Sequence, residues 1–180
     1  MADPGQLPLD AGPLLRALNA GGVDYVVVGG LAGMAHGSTY PSFDLDIAYP
    51  REAVNLERLA GVLRELGVKL ANAPEDLPFQ IDAKTLFNGA NFTFDTPLGR
   101  FDILGSIDGI SSYEELSAAA SAGEIEGEPT RVASIDHLIA MKRAANRPKD
   151  RVMLEEYIVI ADEQQRRSDQ EGSRGRAQSW

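Results

Sequence analysis

The chain has 180 residues, 43% of them hydrophobic, and no cysteine, which suits one domain with a sizeable core and excludes disulfides, thiol catalysis and cysteine metal centres. Its 17 basic and 27 acidic residues give a formal net charge of −10, the opposite of the basic surface that a dedicated nucleic-acid binder usually shows. No apolar run approaches the roughly 20 residues of a membrane helix and Met1 to Gln6 does not read as a signal sequence, so no membrane association and a cytoplasmic location are expected.

Gly12-Pro13 opens a helix through about Ala20, with proline in the first turn and Gly21-Gly22 as the stop. Asp24-Tyr25-Val26-Val27-Val28 is β-branched and aromatic and reads as a short buried strand. It ends in Gly29-Gly30 and opens into Leu31-Ala32-Gly33-Met34-Ala35, a small-residue helix closed near His36. The next strand is Phe43-Asp44-Leu45-Asp46-Ile47-Ala48-Tyr49, ended by Pro50. Apolar residues at Val54, Leu56, Leu59, Ala60, Leu63 and Leu66 have helical spacing, with Gly67 as a C-cap. Val68-Lys69-Leu70 suggests a short strand, and 73–80 a loop rich in proline and acids. Asn91 to Phe94 and Arg100 to Leu104 flank a turn-rich Asp95-Thr96-Pro97-Leu98-Gly99, a hairpin pattern. Helix is expected over 112–122, a strand near Thr130 to Ala133, and helices over 135–145 and 149–165. The folded domain is placed at 1–165, with its C-terminal helical part at about 134–165. The polar, Ser/Gln/Arg-rich segment Arg166 to Trp180 is expected to be disordered. No internal repeat is present.

The chemistry concentrates where the second strand follows the glycine pair. Residues i and i+2 of a strand share a face, so Asp44 and Asp46 project side by side while Leu45 and Ile47 face the core. Two adjacent carboxylates repel unless a positive charge neutralises them, and Mg²⁺ favours carboxylate oxygens together with substrate phosphates. The plain alternative is the solvent face of a half-exposed strand. Gly29-Gly30 lets backbone approach a ligand closely and leaves N–H groups free for phosphate, although such a pair is also a common strand-end turn. No Gly-Lys-Ser/Thr follows, so it is not a Walker loop, and it is not the three-glycine dinucleotide fingerprint. The two histidines, His36 and His137, are too few and too far apart for a histidine metal motif, and His36 reads as a helix cap or pocket wall. Residues 1–133 carry 8 basic and 19 acidic side chains. The one basic concentration is Lys142, Arg143, Arg147, Lys149 and Arg151, which suits a triphosphate, a stretch of RNA backbone, or simply a solvated helix face.

Gly-Gly, a short helix, then Asp-x-Asp on the following strand resembles the polymerase-β-type nucleotidyltransferase superfamily. The likeness is greatest to its small bacterial members, including the AbiE-type toxins of toxin–antitoxin pairs. It continues in Leu98-Gly99-Arg100-Phe101-Asp102-Ile103-Leu104, which resembles the strand bearing the third carboxylate, Asp102. Ile135-Asp136-His137-Leu138-Ile139-Ala140-Met141-Lys142 followed by Arg147-Pro148-Lys149-Asp150 resembles the C-terminal helical signature of that group. The match runs from about residue 14 to 160. It departs at Tyr40 and Ser42, where relatives often carry Arg and Thr; Ser42 keeps the hydroxyl.

The resemblance implies an α/β nucleotidyltransferase fold, a mixed sheet flanked by helices, and transfer of a nucleoside monophosphate from an NTP to a hydroxyl. Gly29 and Gly30 would hold the β- and γ-phosphates beside Ser42. Asp44 and Asp46 would bind Mg²⁺ or Mn²⁺, Asp102 would share a second ion and help deprotonate the acceptor, and Lys142 would neutralise triphosphate charge. The toxin group further implies a tRNA 3′ end as acceptor and a cognate antitoxin as partner. Adenylylation of a small molecule such as an antibiotic, adenylylation of a partner protein, and a catalytically silent antitoxin or binding partner are the other readings. For Asp102 the alternative is a surface salt bridge to Arg100 or Arg131, and for Lys142 simple solvent exposure.

Overall fold

Strand β1 (Val26–Val28) is buried at all three positions and lies inside the sheet, as a run of valines without polar alternation requires. The computed structural model describes residues 8–74 and 79–177. Within them β1 is joined by β2 (Asp44–Ala48), β3 (Lys69–Leu70), β4 (Asn91–Thr96), β5 (Gly99–Leu104), β6 (Ser121–Ile125) and β7 (Glu128–Val132). They form one sheet in the order β3-β4-β5-β2-β1-β7-β6. β2 runs parallel to β5 and β1 parallel to β7, while the other neighbours are antiparallel. The architecture is therefore α/β, with a mixed sheet, as expected.

The helices are α1 (Ala11–Ala20), α2 (Gly29–Ala35), α3 (Ala53–Glu65), α4 (Ala83–Asn88), α5 (Tyr113–Ala119), α6 (Ile135–Ala145) and α7 (Pro148–Ala177). Leu14, Leu15 and Leu18 of α1 and Leu56, Leu59 and Leu63 of α3 recur at helical spacing and are essentially fully buried, in one core with Leu45, Ile47, Phe94, Phe101 and Ile103 of the sheet. Side-chain period decides the rest. Leu45 and Ile47 of β2 pair with Phe101 and Ile103 of β5 on the core side. Asp44 and Asp46 then pair with Arg100 and Asp102 on the opposite face.

Two expectations are corrected and one helix is added. The helix expected over 112–122 stops at Ala119, and Ser121–Ile125 forms edge strand β6. Its mostly exposed small and polar residues carry no hydrophobic alternation, and the Glu126-Gly127 turn, both residues at positive φ, folds it back onto β7. Helix α4 forms in a stretch that carried no assignment, its start fixed by Asp82, which accepts the Thr85 N–H at 2.7 Å. The chain from Arg166 is helical rather than disordered, because α7 continues to Ala177. Along it Arg167 pairs with Glu163 at 3.6 Å and Gln165 donates to Asp169 at 2.9 Å, four residues apart in each case. Residues 178–180 of that expected tail, and 75–78 of the expected loop, lie outside the described residues. No described helix is long and apolar enough to cross a membrane.

Candidate active site

The site is assembled where β1 gives way to α2 against β2. Val28 is the register partner of Asp46 and also precedes the first residue of α2. Gly29 turns the chain at φ +65°, a conformation that suits glycine. A β-carbon there would run into the Asp46 carboxylate, 2.6 Å from Cγ. At Gly30 it would come within 2.5 Å of Ser42 Oγ. The glycine pair is thus required by the Asp46 carboxylate and the Ser42 hydroxyl packed against it. Ser42 Oγ in turn donates to the Asp44 carbonyl at 3.0 Å and lies 3.4 Å from Asp44 Oδ1.

Asp102 reaches the same face by register, directly opposite Asp46 on the parallel strand β5. Its other cross-strand neighbour is Thr93, whose side chain hydrogen-bonds to it. Asp102 Oδ1 is buried without a hydrogen-bond partner. The salt-bridge alternatives are taken elsewhere: Arg100 lies 3.4 Å from Asp95, and Arg131 is bonded to Ser117.

The electrostatics follow from the packing. Burial, then repulsion from Asp44 and Asp102, pushes the Asp46 carboxyl well above the usual range, against the pull of Lys142 and Lys149. Asp102 is raised by burial, partly offset by the Thr93 hydrogen bond. Carboxylate oxygens held in mutual repulsion suit a hard divalent cation. Among the described residues no three His, Asp or Glu side chains close a ready-made metal cage. Two surface cavities of about 400 Å³ and about 420 Å³ are lined by other residues, among them Asp24, Tyr113 and Arg131 in one and Leu63, Phe79 and Ile81 in the other.

Lys142 on α6 is not a free cation. Its Nζ donates to Asp150 Oδ1 at 2.9 Å, and Arg147 Nε donates to the other oxygen at 2.7 Å. Arg147 still feels the site, since Asp46 and Asp44 add to the rise that the Asp150 hydrogen bond causes in it. The expected basic stretch therefore divides, with Lys142 and Arg147 bound to Asp150 and Arg151 donating to Asn146 at 3.1 Å.

Three residues of α7 tie it to the site, and sequence reasoning assigned a role to none of them. Asp150 is fully buried. Glu156 accepts from Ser38 Oγ at 2.5 Å and from Thr39 N and Oγ1 at 2.9 and 2.7 Å, fastening the loop that leads to Ser42. Those bonds, Ser38 first, hold its carboxyl below the usual range. Tyr157 is buried with its ring against Gly33, where a β-carbon would lie 2.7 Å from Cζ. His36 caps α2 as expected and also links elements: its Nε2 lies 2.7 Å from the Ala133 carbonyl and its Nδ1 3.1 Å from Gln164 Nε2. Donation from the Gln164 amide leaves the ring proton on Nε2, facing the carbonyl.

No protein-family model and no curated protein sequence matches the chain. Solved structures do. The lincomycin-bound lincosamide antibiotic adenylyltransferase LnuA is similar at TM-score 0.58 and 12% identity, over 86% of this chain and 99% of that one. The antibiotic-resistance factor ANT(2″)-Ia, in its solution structure, is similar at TM-score 0.51 and 17% identity, over 91% and 94%. A provisionally assigned nucleotidyltransferase from Thermotoga maritima is similar at TM-score 0.51 and 15% identity, over 81% and 88%. The arrangement of strands and helices described above is accordingly the nucleotidyltransferase fold.

Proposed function

We propose that this chain is a metal-dependent nucleotidyltransferase that moves a nucleoside monophosphate from an NTP to a hydroxyl and releases pyrophosphate. The observation that carries the reading is the register that sets Asp46 opposite Asp102, with Asp44 two residues away, and the Asp46 carboxylate packed against the bare α-carbon of Gly29. Asp44, Asp46 and Asp102 would hold Mg²⁺ or Mn²⁺: the donors are hard oxygens, Asp102 Oδ1 lacks a partner, and Asp46 is in a repulsive field. When bound, the cation neutralises triphosphate charge and polarises the phosphoryl oxygens.

The chain's own groups have separate roles. The backbone at Gly29 and Gly30 receives the β- and γ-phosphates, with the Ser42 hydroxyl beside them. Asp102 takes the proton of the acceptor hydroxyl. The acceptor oxygen then forms a bond to the α-phosphorus as the bond from that phosphorus to the β-phosphate bridging oxygen breaks, and pyrophosphate leaves. Lys142 adds positive charge from α6.

Two acceptor classes fit. The resemblance to AbiE-type toxins supports a tRNA 3′ hydroxyl, with a cognate antitoxin as partner. The acidic surface of residues 1–133 and the likeness to LnuA and ANT(2″)-Ia, which act on or resist antibiotics, support a small, preferably cationic, hydroxylated molecule. Incubation with each α-labelled NTP and Mg²⁺, together with total tRNA, total protein or an antibiotic panel, tests both. Label transferred to one acceptor supports that reading. No transfer to any acceptor with any NTP overturns nucleotidyl transfer.

A further inference from the structure

We propose that Asp150 is a positioning residue of this site, a buried carboxylate that presents Lys142 and Arg147 to the β- and γ-phosphates of the NTP. The proposal rests on the nucleotidyl-transfer reading above. Asp150 has no solvent exposure, whereas Arg147 is largely exposed and Lys142 partly so. One carboxylate thus anchors a largely exposed cation, Arg147, and a largely buried one, Lys142. Both its oxygens are used: Oδ1 takes Lys142 Nζ at 2.9 Å, and Oδ2 takes Arg147 Nε at 2.7 Å and the Arg147 backbone N–H at 3.2 Å.

These bonds cross the junction between α6 and α7. α6 ends at Ala145, Asn146 turns the chain in the left-handed region, and α7 begins at Pro148. Asp150, in the first turn of α7, therefore sets both the angle of that junction and the rotamers of the two cations. The cluster is not neutral, since two cations meet one anion. Its surplus charge sits close to the glycine turn, because α6 packs against α2, the helix that begins at Gly29 and Gly30. A buried ion cluster of this kind is weak evidence of stabilisation, because desolvation offsets much of the attraction. Its use is directional. It holds positive charge at a fixed place beside a site that must receive a polyanion.

The phosphates distinguish orientation from mere scaffolding. A monophosphate lacks the groups that Lys142 and Arg147 would meet, so only the triphosphate should lose affinity when they swing free. Dissociation constants of Mg²⁺-bound ATP, CTP, GTP and UTP and of the matching monophosphates are measured by calorimetry for the wild type and Asp150→Asn. For the best-bound base, the wild type should favour the triphosphate. Asp150→Asn should weaken the triphosphate about tenfold and leave the monophosphate within about twofold. An unchanged ratio in a folded Asp150→Asn overturns the positioning role alone. If that variant does not fold by circular dichroism, Lys142→Met and Arg147→Gln are measured instead, and unchanged ratios in both overturn the proposal. A wild type with no preference for triphosphate overturns the nucleotidyl-transfer reading and this proposal with it.

Discussion

The α-carbon of Gly29 lies against the Asp46 carboxylate so closely that a methyl group cannot be added without displacing it. Gly29→Ala should therefore act twice. The alanine must adopt φ +65°, which costs about 1–2 kcal/mol, and its β-carbon must displace the Asp46 carboxylate from its place opposite Asp102. The expected outcome is a folded protein of lower melting temperature whose transfer rate falls at least about a hundredfold. Wild-type turnover in this variant, by the labelled-NTP assay, would show that the close approach has no catalytic purpose.

The carboxylates should give the metal-free protein a measurable instability. Asp46 and Asp102 are raised in the fold, so the folded chain holds their protons more tightly than the unfolded chain does. Stability of the metal-free protein should thus fall as pH rises from the ordinary carboxylate range through the raised one. At neutral pH, Mg²⁺ at a hundredfold excess over its Kd should add about 2.7 kcal/mol. Asp44→Asn with Asp46→Asn should abolish the metal response and raise the metal-free melting temperature. A metal-dependent shift surviving in the double variant, by differential scanning calorimetry, places the ion elsewhere.

How much was legible depended on whether a residue's partner lies at a fixed spacing. Asp44 and Asp46 could be assigned to one face because strand period fixes it, and Leu45 and Ile47 confirm the opposite face as core. Asp102 lies 56 residues after Asp46, so its place on an adjacent parallel strand came from resemblance, not spacing. Asp150 was hidden in a basic run, where an acid reads as ordinary first-turn helix chemistry. Only the packing of α6 against α7 shows that it is buried and binds Lys142. Edge strand β6 and residues 166–171 of α7 bury little, so neither carries the hydrophobic period that marks an element.

Tyr157 offers a test of packing that leaves the site's polar groups in place. Its hydroxyl is buried without a partner, and burial pushes it up to about 12, aided by Glu156, Asp46 and Asp150. Removing an unsatisfied buried hydroxyl can be neutral or stabilising. Tyr157→Phe should match or exceed the wild-type melting temperature. Gly33→Ala should lose about 1–3 kcal/mol by overpacking against the ring, and part of that loss should return in the double variant. A Tyr157→Phe protein destabilised by more than about 1 kcal/mol in urea titration would show that the hydroxyl has a stabilising partner.

Asp150 should also mark the acid limb of stability. Burial alone would raise it, but hydrogen bonds from Arg147 and Lys142, together with their charges, hold it at about 2. Its folded value lies below the ordinary 3.8, so its contribution is complete above that ordinary value and is lost as pH falls from it toward about 2. At 1.36 kcal/mol per unit the difference is on the order of 2 kcal/mol. Wild type and Asp150→Asn, unfolded by urea from pH 6 to pH 2, should converge in stability at the acid end. Parallel curves across that range would show that Asp150 does not contribute through its charge.

The cations that Asp150 does not hold offer a test of the acceptor. Lys142 and Arg147 are committed to Asp150, and Lys149 acts on Asp46, which leaves Arg143 and Arg151 as exposed basic groups of the stretch suited to an RNA backbone. Arg143→Ser with Arg151→Ser should leave NTP binding and small-molecule labelling unchanged. If tRNA is the acceptor, the same pair should cut tRNA labelling and flatten its salt dependence by about 1.4 to 1.8 in log–log slope, two phosphate contacts at about 0.7 to 0.9 each. Each outcome is specific. Salt-sensitive tRNA labelling that collapses in the double variant establishes RNA as the acceptor, met through this stretch. Labelling of an aminoglycoside or lincosamide at equal rates by wild type and variant, with none of tRNA, assigns the acceptor role to a small cationic molecule that does not depend on this stretch.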